Sequence, residues 1–280
     1  MIRIVTDSAA DIKYEEAKKL NVEIAPLKIS FKDEVYIQDI DLSFDEFYEK
    51  LQSSEELPFT SQPSPSDFLK IFNDAKECND SVVYIGISSK LSGTFQSANI
   101  AKESSGYDDI YLIDSLQAVV GLRVLVEYAV KLRDQGKTAF EIYEIISEAR
   151  TRVDLWAMVD TLKYLYKGGR LSKGAATLGS MIKIKPIITL KDGAIEVVDK
   201  ARGLNGGIKS ILNLMDNSTG IDPVMPVYYG YTYIGENCSK LKSKADEKYG
   251  LTGTNTYPVG GVIGTHIGPG AIVVGYIRKK

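Results

Sequence analysis

Histidine is almost absent from this sequence: His266 is the only one in 280 residues. That scarcity excludes every metal site built on two or more imidazoles. Cys78 and Cys238 are far apart and form no C-x-x-C, so neither a disulfide framework nor a zinc ribbon is indicated. Two free thiols suit a reducing cytoplasm, which is the expected location. A basic excess is missing as well. The 34 Lys and Arg face 37 Asp and Glu, a net charge of −3, whereas a protein that grips nucleic acid through its phosphates usually carries surplus positive charge. No apolar run approaches the ~18 residues that a membrane span requires, and the stretch from Ala271 to Ile277 is short and interrupted by Gly275. Asp7 falls where a secretory signal needs an unbroken apolar stretch. Composition thus points to a soluble chain of one large or two ordinary domains, with no nucleic-acid partner.

What the sequence does contain is a β-loop-α rhythm. Ile2 to Val5 reads as a strand, followed by a polar turn through Asp7, Ser8 and Asp11. An amphipathic segment, Tyr14 to Leu20, leads to one apolar run, Val22 to Ile29. Val82 to Ile87 and Ile110 to Ile113 are short β-rich runs, each ending in polar residues before a helical pattern. Ser43 with Glu46, and Thr138 with Glu141, make capping boxes ahead of apolar helical faces. The second half differs. Val153, Leu155, Ala157 and Val159 alternate with other residues, Asp192-Gly193 separates two β-rich runs as a two-residue hairpin turn does, and Ala271 to Ile277 is the last strand. The expected class is α/β, with two α/β domains. Residues 1–150 form an N-terminal domain around a mostly parallel sheet, and residues 151–280 a C-terminal domain with a mixed sheet and helices.

Open α/β sheets place ligands beyond the carboxyl ends of their strands, so the loops after apolar runs come first. Phe59 to Pro65 offers the hydroxyls of Thr60, Ser61 and Ser64, and Ser66 reads as the cap of a helix beginning at Asp67. Ser88 to Thr94 follows a strand and opens a helix. Unpaired N–H groups and the helix dipole favour an anion there, with Ser92 and Thr94 as hydroxyl donors. Gly264 to Gly270 packs three glycines, a proline and the one histidine into what reads as a tight loop. In Lys167-Gly168-Gly169-Arg170, Gly168 reads as the left-handed helix terminator and Arg170 as an exposed charge or an anion clamp. Standard catalytic signatures fail. Lys131 replaces the first glycine of a P-loop, Lys90 the last glycine of a nucleophile elbow, and Val273 the last glycine of a dinucleotide fingerprint. Ser180 and Lys183 have S-x-x-K spacing inside a helical pattern, which reads as coincidence. The residues describe an anion-binding cleft with no catalytic apparatus.

In this order along the chain, the motifs resemble the DegV family, bacterial lipid-binding proteins that include the fatty-acid-binding subunits of fatty acid kinase. The matching stretches are Thr6-Asp7-Ser8, Thr60-Ser61-Gln62-Pro63, Ser88 to Thr94, Asp114-Ser115, Asp160 to Leu165 into Lys167-Gly168-Gly169-Arg170, Gly264-Thr265-His266, and Gly268-Pro269-Gly270. The resemblance implies two α/β domains with a long-chain fatty acid such as palmitate as ligand, no cofactor and no metal. It places the carboxylate on Thr60, Ser61, Ser92 and Gly93, and puts Arg170, His266 and Arg202 around the head group and at the contact with a kinase. Gly203 to Gly207 departs from the more basic continuation common after that last arginine, and Ala9 stands where a threonine is common.

The implied role is that of a carrier and not an enzyme. A separate ATP-dependent kinase catalytic subunit phosphorylates the presented carboxylate, and the acyl phosphate goes on toward phospholipid synthesis. Transient contact with a membrane surface is compatible with it. Burying ~14 methylenes contributes roughly 11 kcal/mol before ordering costs, against about 1–3 kcal/mol for a hydroxyl bond to a charged group. The tail therefore sets affinity and the hydroxyls set orientation. The alternative reading is a stand-alone hydrolase or transferase using Ser92 as nucleophile or His266 as general base on a small acid.

Overall fold

The first apolar run becomes strand β1 (Ile2–Asp7) and ends where the Asp7 side chain caps the 3-10 turn Ser8–Ala10. The computed structural model describes residues 1–171 and 184–280, so the Ser180/Lys183 spacing lies outside the described residues. Helix α1 (Tyr14–Leu20) leads into β2 (Val22–Ala25), which pairs in parallel with β1. The apolar run from Val22 to Ile29 is divided between two strands. Pro26 has no N–H to give to a sheet ladder, and the chain leaves the parallel sheet there. It resumes as β3 (Lys28–Phe31), which turns back into β4 (Glu34–Ile37). After α2 (Phe44–Ser53), β5 (Phe59–Ser61) pairs with the other edge of β3. This antiparallel sheet, β4-β3-β5, has no counterpart in the sequence reading, because its strands are three or four residues long.

Helix α3 (Pro65–Cys78) begins earlier than expected. Its cap is Ser64, which accepts the Asp67 N–H while Asp67 returns the bond, and Pro65 occupies the first turn, where a missing N–H costs nothing. Then follow β6 (Ser81–Gly86), α4 (Thr94–Ser105), β7 (Ile110–Asp114), α5 (Val119–Asp134) and α6 (Ala139–Ala149). The first large sheet runs β2-β1-β6-β7 and is parallel throughout. Both expected capping boxes form, at Ser43 and at Thr138.

The second half comprises β8 (Val153–Met158), α7 (Lys163–Lys167), β9 (Ile184–Lys191), β10 (Ala194–Arg202), α8 (Gly203–Asp216), β11 (Tyr228–Tyr231), α9 (Gly235–Tyr249), β12 (Asn255–Pro258), α10 (Gly261–Ile267) and β13 (Ile272–Ile277). Its sheet, β10-β9-β8-β13-β11-β12, is mixed. Only β11 and β12 are parallel neighbours. Asp192 and Gly193 close the β9–β10 hairpin with φ of 49° and 82°, the left-handed pair that a two-residue turn of this hand requires.

Helix α5 holds the halves together. It packs on β1 and β6 of the parallel sheet and on β8, β11 and β13 of the mixed one. The largest apolar cluster accordingly draws on both, from Ile4 and Val83 to Leu155 and Val273. Within it Arg123 is 1% exposed. Its guanidinium donates to Glu127 at 2.7 Å and to the Asp11 carbonyl at 2.9 Å, pairs with Glu16, and lies 3.3 Å from the centre of the Tyr257 ring. A buried charge is tolerable only with such pairing.

Residues 264–270 do not form the single tight loop expected. Gly261–Ile267 is helix α10, and only Gly268 and Gly270 turn through positive φ, at 74° and 84°. The earlier glycines serve close packing. A Cβ at Gly261 would lie 2.6 Å from the Phe47 ring, and one at Gly264 2.6 Å from the Tyr48 hydroxyl, both on α2. The replacement Gly264→Ala is therefore expected to lower the denaturant midpoint, through an overpacking cost of about 1–3 kcal/mol. An unchanged midpoint would contradict the packing account.

Candidate functional site

A cavity of about 840 Å³, including the part open to solvent, lies between the parallel sheet and the mixed sheet. Its wall is mostly aliphatic. Ile87 and Leu91 come from beyond β6, Ala118 and Val119 from the start of α5, Leu155 and Ala157 from β8, Ile188 and Leu190 from β9, and Val262 and Ile263 from α10. Val119 keeps a φ of 55°, a conformation that costs a β-branched residue of order 1–3 kcal/mol.

Six polar residues line the same space: Thr60, Ser92, Arg170, Thr189, Thr232 and His266. Thr189 and Thr232 have their hydroxyls engaged with backbone. Thr189 donates to the Leu155 carbonyl at 2.8 Å, and Thr232 accepts the Ala271 N–H at 2.7 Å. The other four residues gather at one end. Thr60 Oγ1 and His266 Nε2 are 2.8 Å apart. Arg170 Nε donates to the carbonyl of Leu91, next to Ser92, at 3.1 Å, and the guanidinium also donates to Gly168 at 2.6 Å. Gly168 lies so close to His266 that a Cβ there would be 2.4 Å from Nδ1. Glycine is thus needed at 168 for space, and the left-handed terminator of α7 is Gly169, with φ of 74°, not Gly168.

The loops carrying these groups are held from several sides. Asp7, buried at the end of β1, accepts the Ile87 N–H at 2.8 Å, the Tyr84 hydroxyl at 2.9 Å and the Ala9 N–H at 3.0 Å. It thereby fixes the exit of β6, from which Ser88 to Thr94 departs. Burial raises its carboxyl to about 6. Ser88 donates to the Gly193 carbonyl at the hairpin tip, 2.7 Å away. Gly93 is the N-cap of α4 with no side-chain cap bond, and a Cβ there would lie 2.2 Å from Gln62 Oε1.

Electrostatics sharpen the assignment. Burial first, and then the charge of Arg170, lower His266 to about 4, so its ring is neutral at pH 7. Its Nδ1 is buried without a partner among the described residues. A buried bare acceptor costs less than an orphaned N–H, so the proton belongs on Nε2, donated to Thr60. That leaves the Thr60 O–H free to donate into the cavity. Burial also lowers Arg170, and its guanidinium donates to carbonyl oxygens, forming no salt bridge with a described residue. The end of the cavity is thus rich in donors and suits an anion with an apolar body. Ser92 Oγ lies 2.8 Å from Thr94 Oγ1, and His266 meets Thr60.

The DegV family model matches residues 1–279. The chain belongs to the DegV family. A DegV domain-containing protein of Caldanaerobacter subterraneus subsp. tengcongensis is 34% identical over 279 residues, which is 99% of each chain. A DegV family protein from Thermus thermophilus, described for its fatty acid binding, superposes with a TM-score of 0.90 at 28% identity over 99% of each chain. The Streptococcus pneumoniae Fatty Acid Kinase (Fak) B3 protein, loaded with linoleic acid, superposes with a TM-score of 0.86 at 25% identity over 100% of each.

Within this DegV fold, Thr60, Ser92, Arg170 and His266 line one cavity, with Gly93 next to Ser92 in the chain. Ser61 and Arg202 do not join them. Alternation along β5 sends Thr60 inward and Ser61 outward, where it is exposed. Arg202 is exposed at the end of β10 and does not line the cavity. The sequence reading also missed the apolar wall, whose residues stand out only once the sheets are assembled. The lone histidine makes one measurement direct: its ring is expected to titrate near pH 4 by proton NMR. A midpoint near the ordinary 6.5 would contradict the buried neutral ring.

Proposed function

We propose that this DegV protein encloses a long-chain fatty acid with its carboxylate between Thr60 and Ser92, and presents that carboxylate to a separate kinase. The observation that carries the reading is the segregation of the cavity: aliphatic along its wall, with Thr60, Ser92, Arg170 and His266 gathered at one end. An acyl tail of ~14 methylenes contributes roughly 11 kcal/mol there before ordering costs, so it sets affinity. Thr60, Ser92 and the open amino end of α4 satisfy the carboxylate, because a buried anion without donors is costly. Thr60 is set up as a donor by His266.

The same end serves the next step. Phosphorylation replaces the carboxylate with an acyl phosphate of greater charge. Arg170 lies beside the site to offset that charge, and it keeps the charge at any physiological pH. The likeness to the Streptococcus pneumoniae Fak B3 protein supports a kinase as the partner. Arg202, exposed and apart from the cavity, fits the partner contact better than the ligand contact, and Ser61 has the same placement. Phe59 stands 75% exposed beside Thr60, where brief contact with a membrane surface would bring ligand to the donors. In this role the chain itself catalyses nothing.

Denaturing extraction of the purified protein followed by mass spectrometry is expected to yield long-chain fatty acid at about one per chain. No fatty acid in the extract, together with no binding of added palmitate, overturns the proposal. Ser92→Ala is expected to weaken binding by about tenfold, matching the loss of one hydrogen bond to a charged group. With the kinase present, His266→Ala is expected to keep most of the ligand affinity and lose phosphorylation rate. Equal loss of ligand in the two variants contradicts that division of work.

A further inference from the structure

Helix α10 supplies Val262, Ile263, His266 and Ile267 to the cavity, yet it is only seven residues long and its N-cap is Gly260, with no side-chain cap bond. A helix that short has little stability of its own. Its first amides are instead satisfied from the far end of the sequence. Asp11 Oδ1, just after the 3-10 turn, accepts the Gly260 N–H at 2.9 Å, and Gln38 Oε1, just after β4, accepts the Val262 N–H at 3.0 Å. Both side chains are 5% exposed, and Gln38 Nε2 also leans on Asp11 Oδ1 at 3.5 Å. Space is tight, since a Cβ at Gly260 would lie 2.2 Å from the Gln38 amide carbon.

Asp11 is a costly residue to keep there. Its second oxygen, Oδ2, is buried with no partner among the described residues, and such an oxygen forfeits its hydration without compensation. Locally, Asp11 ends the 3-10 turn at a φ of 52°, which aspartate and asparagine tolerate better than most residues, and its main-chain carbonyl receives Arg123 at 2.9 Å. The side chain's other work is on α10.

We infer that Asp11, paired with Gln38, is a positioning residue for the head-group site: it caps α10 from the opposite half of the molecule and so sets where His266 meets Thr60. The inference rests on the fatty-acid reading only for its consequence in ligand affinity. The groups facing Asp11 are Arg123 from α5, with its partners Glu16 and Glu127, Asp39 beside Gln38, and Tyr48 from α2. Burial foremost raises the Asp11 carboxyl to about 8. At pH 7 it is therefore mostly protonated, and asparagine is its nearest mimic. The raised value also fixes a sign. The unfolded carboxyl ionises near its ordinary ~3.9, so this group's contribution to folding declines as pH rises from there through about 8.

The single histidine is the reporter, read by NMR in ligand-free protein, with fatty-acid affinity measured in parallel. Asp11→Ala and Gln38→Ala are each expected to shift the His266 ring resonances and, because Val262, Ile263 and Ile267 of the cavity wall move with α10, to weaken palmitate binding several-fold, up to about tenfold for the loss of a helix cap. Asp11→Asn, which keeps an acceptor at the same place, is expected to restore both at pH 7. It should also abolish an inflection near pH 8 in the wild-type His266 shifts. Unmoved His266 resonances in Asp11→Ala overturn the inference, as does an Asp11→Asn variant as disturbed as Asp11→Ala. If Asp11→Ala does not fold, the other two variants decide: Gln38→Ala shifted with Asp11→Asn restored supports the role, and any other pairing overturns it. Wild-type protein that binds no palmitate defeats the fatty-acid reading alone, because the resonances still report on Asp11.

Discussion

One hydrogen bond, between Thr60 Oγ1 and His266 Nε2, joins residues 206 positions apart, and the rest of the site is arranged around it. Thr60 stands on the short antiparallel sheet, His266 on α10. Their 2.8 Å contact requires α10 to lie against α2 closely enough that glycine is needed at 261 and 264. The ring is neutral, and with its proton on Nε2 it donates to the threonine, whose own O–H is free to donate toward the cavity. Burial and the neighbouring Arg170 charge provide that condition together. The same arginine that depresses the histidine is the charge available to an anionic ligand.

The two large sheets could not enclose an apolar cavity without a helix that belongs to both. Helix α5 fills that role, and the buried Arg123 on it is tied to Glu16 and the Asp11 carbonyl on one side and to the Tyr257 ring on the other. Removing one partner of such a group leaves an uncompensated charge, so the arrangement specifies one relative placement of the halves. That placement brings the loop after β6, from the first half, against Arg170 and the β9–β10 hairpin of the second. The donor end of the cavity exists only because both halves contribute to it.

Much of this was legible in the sequence, for reasons that differ by element. The parallel strands were read from apolar runs that end in polar loops, and the β9–β10 turn from Asp192-Gly193, whose conformation few other residue pairs adopt. Thr60, Ser92, Arg170 and His266 stand out in the sequence because hydroxyls, an arginine and a glycine-flanked imidazole are chemistry that loops display, and the fold sets all four on one cavity. What was not legible depends on tertiary contact. Pro26 ends one strand and the next joins a different sheet, which no local periodicity reveals. Gly264 reads as part of a tight loop, whereas it lies, with Gly261, within a helix pressed on aromatic rings. Ser61 was grouped with Thr60 by adjacency, but in a strand adjacency means opposite faces. Asp11 and Gln38 carried no signal, because capping across the molecule leaves no spacing to detect.

The central claim is that the donor end of the cavity holds a carboxylate and the aliphatic wall its tail. A crystal structure of the protein with the ligand it carries from the cell tests this most directly. The account predicts acyl-chain density along Leu155, Ala157 and Val262, ending in a carboxylate within hydrogen-bond distance of Thr60 Oγ1 and Ser92. A chain lying the other way round, with its carboxylate remote from Thr60, would contradict it, as would a cavity collapsed by its own side chains.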